Sequence, residues 1–187
     1  ETLATSGVDG YPAYATNPEL SDPITQPVDD YTITPSIGSL TADNYTFTFG
    51  DGTYTVMTED AVLQFDSQNL VSVRVAADGG SNSAFTWKAT IAPANDGLQG
   101  NMNIILSKDI TLAFSAVGGG GGKTFTATGF DPVSGIATFE IPANVLGVET
   151  YAALVTLNNT YFRATADENV LVIYDPSLGF TTGGGWF

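Results

Sequence analysis

The residues of this chain that could perform chemistry are almost all carboxylates. Twenty of its 187 residues are Asp or Glu, five are Lys or Arg, and histidine and cysteine are absent. Their absence removes disulfides, thiol nucleophiles, the usual zinc ligands and the commonest general base. The sequence also lacks the motifs of serine hydrolases, zinc proteases and P-loop proteins. A carboxylate pair could hydrolyse glycosides, but these acids are scattered, so we expect no catalytic site and no enzyme.

Several short acidic groups could instead bind calcium. Calcium takes roughly six to eight oxygen ligands, which loop carboxylates and carbonyls can supply. Glu59 and Asp60 are the best-placed pair, because they lie at an expected module boundary that a bound calcium would stiffen. The alternative is that the acids are ordinary turn residues on a solvated surface. The groups are Asp29-Asp30, Asp51, Glu59-Asp60, Asp78, Asp96, Asp109 and Asp167-Glu168.

The net charge restricts the possible partners and the location of the protein. The formal charge is −15, and the five cations are spread from Arg74 to Arg163, so they cannot form a basic patch for nucleic acid. The chain has no apolar run of about 18 residues, so we expect no membrane span. The first residue is Glu1 rather than Met, which is typical of a processed, secreted chain. We therefore expect an extracellular or cell-surface protein.

The periodicity of the sequence predicts an all-β fold. Short runs rich in Thr, Val, Ile, Tyr and Phe alternate with Gly, Asp, Asn and Pro at a spacing of about ten residues, which favours an immunoglobulin-like antiparallel sandwich. The only helix candidate is Pro142–Leu146. In the second part of the chain we predict strands at 61–65, 70–77, 83–91, 102–106, 110–115, 123–128, 135–140, 149–157, 160–165 and 170–174.

The first part of the chain predicts a smaller, incomplete β unit. Residues 1–27 contain four prolines, which restrict them to loops or an edge strand. A strand at Tyr31–Thr34 is followed by a predicted hairpin that turns at Gly50-Asp51-Gly52 and exposes an aromatic face. A hairpin of two strands is marginal on its own, so this face needs a cover. Its residues are Tyr45, Phe47, Phe49, Tyr54 and Val56.

We therefore divide the chain into three segments. Residues 1–57 form the partial unit with its Pro-rich arm, 58–175 the sandwich, and 176–187 a Gly-rich tail. Residues 158–174 predict a second hairpin that resembles the first, which suggests a weak internal repeat.

Two stretches resemble a known family. Residues 39–56 are S-L-T-A-D-N-Y-T-F-T-F-G-D-G-T-Y-T-V, and T-E-D-A follows at 58–61. They resemble the closing hairpin of the MBG-type immunoglobulin-like repeats of large bacterial surface proteins, and D-D-Y-T-I-T-P-S at 29–36 is similar to the strand before it. The chain from V-L-V-I-Y-D-P to the final G-G-G-W-F resembles such a module and its exit. The resemblance covers about 28–65 and 160–187, and it implies a scaffold rather than a catalyst.

These observations favour a structural subunit of an extracellular filament or surface assembly. Either terminal segment, 1–27 or 176–187, could lie on a neighbouring copy as an added strand, and the alternative for the tail is that it is the start of a further module downstream. The alternative is a stalk or ligand-binding module of an adhesin that recognises glycans or proteins. The expected polymerisation contacts are Phe180, Trp186 and Phe187 in the tail and Tyr45, Phe47 and Phe49 in the first unit.

Three further sites are open to two interpretations each. Asn44 and Asn158 begin glycosylation sequons, although such triplets arise by chance in Thr-rich sequence. Lys88 could form an intramolecular isopeptide bond with an asparagine, or be an exposed strand lysine. Trp87 could stack on a sugar, but core packing is the better interpretation, because it alternates with Phe85.

Overall fold

The structure is a computed structural model that describes residues 6–20, 27–75, 82–97 and 100–176. The chain divides into two compact units, Glu1–Thr58 (unit 1) and Glu59–Phe187 (unit 2). The division lies one residue beyond the expected boundary after residue 57. The predicted all-β class is confirmed, since the described residues contain thirteen strands, and the 3-10 turns at Met102–Ile104 and Ser107–Asp109 are only three residues long.

Unit 1 contains one antiparallel sheet of three strands, sheet I. Its order is β1 (Ala13–Asn17), β2 (Asp29–Ser36) and β3 (Gly52–Val56), so that β2 is central. The Pro-rich arm therefore supplies an edge strand of its own sheet. Pro12 and Pro18 directly flank β1, which agrees with the restriction of proline to edges and strand ends.

The predicted hairpin at residues 45–57 is not formed. Residues 42–51 are neither helix nor strand, and β3 pairs with β2 instead, with Tyr54 opposite Tyr31. Alternating aromatic residues specify which side of a strand is apolar, but not which neighbour the strand chooses. Here the longer β2 offers β3 a five-residue partner, and the intervening segment becomes a connection.

Unit 2 contains two five-stranded sheets. Sheet II has the order β12-β4-β6-β10-β9, and sheet III has the order β5-β13-β11-β7-β8. The strands are β4 (Glu59–Phe65), β5 (Ser72–Arg74), β6 (Phe85–Pro93), β7 (Ile110–Ala116), β8 (Lys123–Thr126), β9 (Gly129–Asp131), β10 (Ile136–Ile141), β11 (Glu149–Leu157), β12 (Phe162–Ala164) and β13 (Asp167–Tyr174).

The strand order of unit 2 matches the arrangement of immunoglobulin-like sandwiches. There, one sheet has the order A-B-E-D and the other C-F-G; here β4-β6-β10-β9 and β7-β11-β13 follow the same orders. The sheets are mixed rather than purely antiparallel, because β12 runs parallel to β4 and β5 runs parallel to β13.

Three other local predictions for unit 2 were wrong. Residues 102–106 form a 3-10 turn instead of a strand, and 142–146 form turns and bends instead of a helix. The expected second hairpin is also absent, since β12 joins sheet II while β13 joins sheet III. The short connection between these strands carries the chain from one sheet to the other.

The core of unit 2 lies between its two sheets and is rich in aromatic side chains. Trp87 of sheet II is fully buried and packs edge-on against Phe65 and against Phe114 of sheet III, with both ring-centroid distances 5.3 Å. Phe114 in turn contacts Phe125 and Tyr151. Such edge-to-face pairs contribute about 0.5–1.5 kcal/mol each beyond the burial of area. This continuous chain of rings joins the two layers of unit 2.

Candidate functional site

Sheet I is amphipathic. Residues that lie opposite each other in an antiparallel pair share a face, so the register puts the alternate residues of the three strands together. One face, which we call the apolar face, contains Tyr14, Thr16, Tyr31, Ile33, Pro35, Gly52, Tyr54 and Val56, and the exposed Asp29 lies at its end, opposite Val56. The other face carries Thr, Ser, Ala, Asn and Asp side chains.

The apolar face is only partly covered. Tyr31 is 1% exposed and is the only hydrophobic residue among the described residues of unit 1 that is buried, whereas Tyr14 is 67% and Tyr54 47% exposed. The rings of Tyr31 and Tyr54 pack against each other, with their centroids 6.5 Å apart. Domains are ordinarily built from at least two packed layers, and the described part of unit 1 contains a single sheet.

The exposed aromatic residues are concentrated in unit 1. In the described part of the chain, all large aromatic side chains classed as exposed precede residue 58, while the exposed large hydrophobic residues of unit 2 are aliphatic. Aromatic residues are enriched at protein interfaces relative to the rest of the surface. The side chains are Tyr11, Tyr14, Tyr45, Phe49 and Tyr54.

The structure describes three of the six predicted polymerisation contacts. Tyr45 and Phe49 are 44% and 41% exposed and Phe47 is half-buried, but all three lie on the connection 42–51 and not on a strand. Phe180, Trp186 and Phe187 lie outside the described residues. Sequence reasoning missed Tyr14, because its strand was hidden in the Pro-rich arm.

The candidate calcium pair is not brought together. Glu59 and Asp60 are the first two residues of β4, so that their side chains point to opposite faces of sheet II. Glu59 is buried and accepts a hydrogen bond at 3.3 Å from the backbone N–H of Gly100, whereas Asp60 is exposed. Within the described ranges, no three carboxylates are grouped so that they could hold a metal ion.

Several of the other candidate acids have structural partners. Asp109 accepts hydrogen bonds from the Leu106 N–H and from the Asn159 side chain, at 3.0 and 2.9 Å. Asp30 accepts the hydroxyl proton of Thr55 at 2.6 Å. Asp78 lies outside the described residues. Asp109 therefore stabilises a turn and Asp30 a strand pair, although the sequence alone allowed both to be calcium ligands.

The geometry at Lys88 does not suit an isopeptide bond. Lys88 is exposed, and the nearby Asn69 is bonded to its backbone: the Lys88 N–H donates to Asn69 Oδ1 and Asn69 Nδ2 donates to the Lys88 carbonyl, both at 2.7 Å. An intramolecular isopeptide bond needs a buried lysine facing an asparagine and an acid. Trp87 points the other way, into the core, where its indole N–H donates to the Leu70 carbonyl at 3.0 Å.

Asn44 and Asn158 are both exposed, so both remain glycosylation candidates. Asn159, the residue after the second acceptor, is half-buried, and its Oδ1 accepts hydrogen bonds from the backbone N–H groups of Tyr161 and Phe162 at 2.9 Å. The second sequon is therefore part of an ordered turn.

A surface cavity of unit 2 lies where β6 begins and β10 ends, with a volume of about 320 Å³. Glu140 is the only titratable residue among its lining residues. A single carboxylate does not provide the acid and base pair that glycoside hydrolysis requires. The cavity therefore gives no support to a hydrolase.

Neither a scan of protein-family models nor a comparison with curated proteins gives a match. The resemblance to MBG-type repeats therefore stays a hypothesis. No helix in the described part of the chain is long and apolar enough to cross a membrane.

Proposed function

We propose that this protein is a structural subunit of an extracellular filament or cell-surface assembly whose copies are joined by addition of a β-strand. The observation that supports this proposal is that the described part of unit 1 has a single sheet, whose apolar face is only partly covered and which is accompanied by exposed aromatic residues. A neighbouring copy that adds chain to this sheet satisfies backbone groups and covers aromatic side chains at the same time. Repeated from copy to copy, the contact produces a filament.

The two terminal segments are not equally suited to be the donor. The N-terminal arm already supplies β1 to its own sheet. Residues 177–187, S-L-G-F-T-T-G-G-G-W-F, contain three large aromatic residues and no charged side chain. Full burial of one such side chain contributes about 1.5–3 kcal/mol. We therefore assign the donor role to 177–187, with Phe180, Trp186 and Phe187 as anchors.

Electron microscopy and light scattering of the full chain over a concentration series test this function. We expect assemblies that grow with protein concentration, and we expect the variant Trp186→Ala/Phe187→Ala to assemble poorly. Val133→Ala is a matched control, because Val133 is a 94% exposed hydrophobic residue on unit 2. A chain that stays monomeric at every concentration contradicts the filament, and unchanged assembly of the double variant contradicts the donor role.

The second candidate function is an adhesin stalk or a ligand-binding module for surface glycans or proteins. It is favoured by unit 2, whose two sheets enclose a continuous aromatic core without help from another chain. A rigid spacer needs no more than this. The two functions differ in one measurement, since a stalk remains monomeric while a filament subunit polymerises with increasing concentration.

A further inference from the structure

The edge strands of the two units differ in how they are protected. Exposed sheet edges pair readily with other chains, and natural proteins commonly block them with charged residues or proline. All four edge strands of unit 2 contain a charged residue: Arg74 in β5, Lys123 in β8, Asp131 in β9 and Arg163 in β12. Both edge strands of unit 1, A-Y-A-T-N and G-T-Y-T-V, contain none.

Of the two uncharged edges, only β3 is open at its ends. β1 is enclosed directly by Pro12 and Pro18, and neither proline has an N–H to extend a ladder. β3 has no proline within it or next to it, and its sequence of alternating Thr and large apolar residues has high β-propensity. β3 is therefore the edge of unit 1 that is best suited to pair with another chain.

The charges around β3 restrict what can pair with it. Unit 1 contains acidic residues but not one lysine or arginine, and Asp29 and Asp30 of the neighbouring strand lie opposite Val56 and Thr55 of β3. An acidic donor would be repelled, which disfavours the N-terminal arm with Glu1, Asp9, Glu19 and Asp22. The segment 177–187 has no charged side chain and carries no such penalty.

We propose that the outer edge of β3 is the acceptor site for residues 177–187 of a second copy of this chain. The inference rests on the proposed function and specifies which strand receives the donor. Alternate residues of an added strand lie on the same face as Tyr54 and Val56. Phe180 and Trp186 are six residues apart, so in an added strand they share a face, and they would extend the apolar face and cover part of Tyr54, whereas Phe187 would lie on the other face.

The test places a charged residue on the edge strand β3 of the full-length chain. Thr53→Lys places a lysine at an exposed position of the edge strand β3. Lys123 already lies at such a position on the edge strand β8. Thr124→Lys is the matched control, because Thr124 is an exposed threonine on the edge strand β8. We expect Thr53→Lys to raise the concentration needed for half-maximal assembly by about tenfold or more, since a lysine on an edge strand hinders its pairing with another chain. Thr124→Lys should leave it unchanged.

A competition experiment on the unmodified chain makes the result independent of whether Thr53→Lys folds well. A synthetic peptide of residues 177–187 in excess should occupy β3 and shorten the assemblies. The same peptide with Phe180→Ala and Trp186→Ala should have little effect.

The outcomes separate this inference from the proposed function. If the parent chain assembles but neither Thr53→Lys nor the peptide weakens the assembly, β3 is not the acceptor. This outcome does not contradict the proposed filament. If Thr53→Lys and Thr124→Lys weaken the assembly equally, the effect belongs to charge in general and the choice of β3 is wrong. If the parent chain never assembles, both proposals fail.

Discussion

Tyr31 and Tyr151 occupy the same position in two different sheets. Each is the third residue of the central strand of its sheet, β2 or β11. Each donates its hydroxyl proton to the carbonyl four residues earlier, Tyr31 to Pro27 at 2.8 Å and Tyr151 to Gly147 at 3.2 Å. The second bond is the tyrosine corner of immunoglobulin-like sandwiches. The bond of Tyr31 repeats this local arrangement on the central strand of sheet I, and the described residues of unit 1 contain no second sheet to face it.

Removal of either hydroxyl should destabilise only the unit that contains it. We expect Tyr31→Phe and Tyr151→Phe each to cost about 1 kcal/mol, because a carbonyl loses its donor. Amide hydrogen exchange, resolved by unit, measures the two effects separately. Tyr14→Phe is the control, since Tyr14 is 67% exposed. Equal loss of protection in both units from one substitution would contradict this assignment.

Asp167 joins the two sheets of unit 2. Its carboxylate accepts a hydrogen bond from the backbone N–H of Phe65 at 2.7 Å, linking β13 of sheet III to β4 of sheet II. We expect Asp167→Ala to lower the free energy of unfolding by about 1.5 kcal/mol, because the Phe65 N–H loses a charged acceptor. Urea unfolding measures the change. The exposed neighbour Glu168, changed to Ala, should have little effect, and equal losses would mean that the bond contributes nothing specific.

The turn between β9 and β10 should respond to acid. The Ser134 hydroxyl, at 2.6 Å, and the Val133 N–H, at 3.0 Å, lower the pKa of Asp131 below its ordinary value. A carboxylate whose pKa is lower in the folded state stabilises the protein above its unfolded pKa, and this contribution is lost as the pH falls through the lowered value.

We therefore expect Ser134→Ala to raise the pKa of Asp131 toward its ordinary value. A titration of the carboxyl carbons by nuclear magnetic resonance measures it directly, and the remaining carboxylates in the same spectra serve as controls. An unchanged Asp131 titration would show that the hydroxyl is not the main cause.

Salt should stabilise the protein by screening, without a requirement for calcium. The formal charge is −15, and about 0.1 M salt reduces the Debye length to about 10 Å. We expect sodium chloride and calcium chloride at equal ionic strength to raise the melting temperature alike, because Glu59 and Asp60 face opposite sides of sheet II. An additional increase with calcium that a chelator reverses would instead reveal a calcium site.

Trp87 should behave as a core residue. Because its ring is fully buried between the sheets, Trp87→Ala should cost about 3–5 kcal/mol. Trp87→Phe should cost less, since it retains most of the packing and loses the bond to the Leu70 carbonyl. Thermal unfolding measures both. Wild-type stability of Trp87→Ala would contradict the core assignment.

The sequence by itself determined the fold class and the strands that are buried on one side. The nine residues of β6 alternate between buried and exposed over almost their whole length, and β11 coincides with the predicted 149–157. This succeeds because side chains of a strand alternate between its faces, so a sheet with one buried face leaves a period of two in the sequence. Composition likewise restricted the possible chemistry, because a chain without histidine and cysteine cannot form a disulfide or use a thiol or imidazole group.

Only the tertiary structure decided which strands are neighbours and which carboxylates accept structural hydrogen bonds. The pattern of Asp167–Tyr174 is the same whether it pairs with β12 or, as observed, with β11 and β5, because alternation specifies a face and not a partner. The same limit hid β1 in the Pro-rich arm and misplaced Tyr45–Phe49 on a strand. Asp167 was one of many acids in the sequence, and its role depends on Phe65, 102 residues away along the chain. Such a bond is set by the packing of two sheets, which no local pattern records.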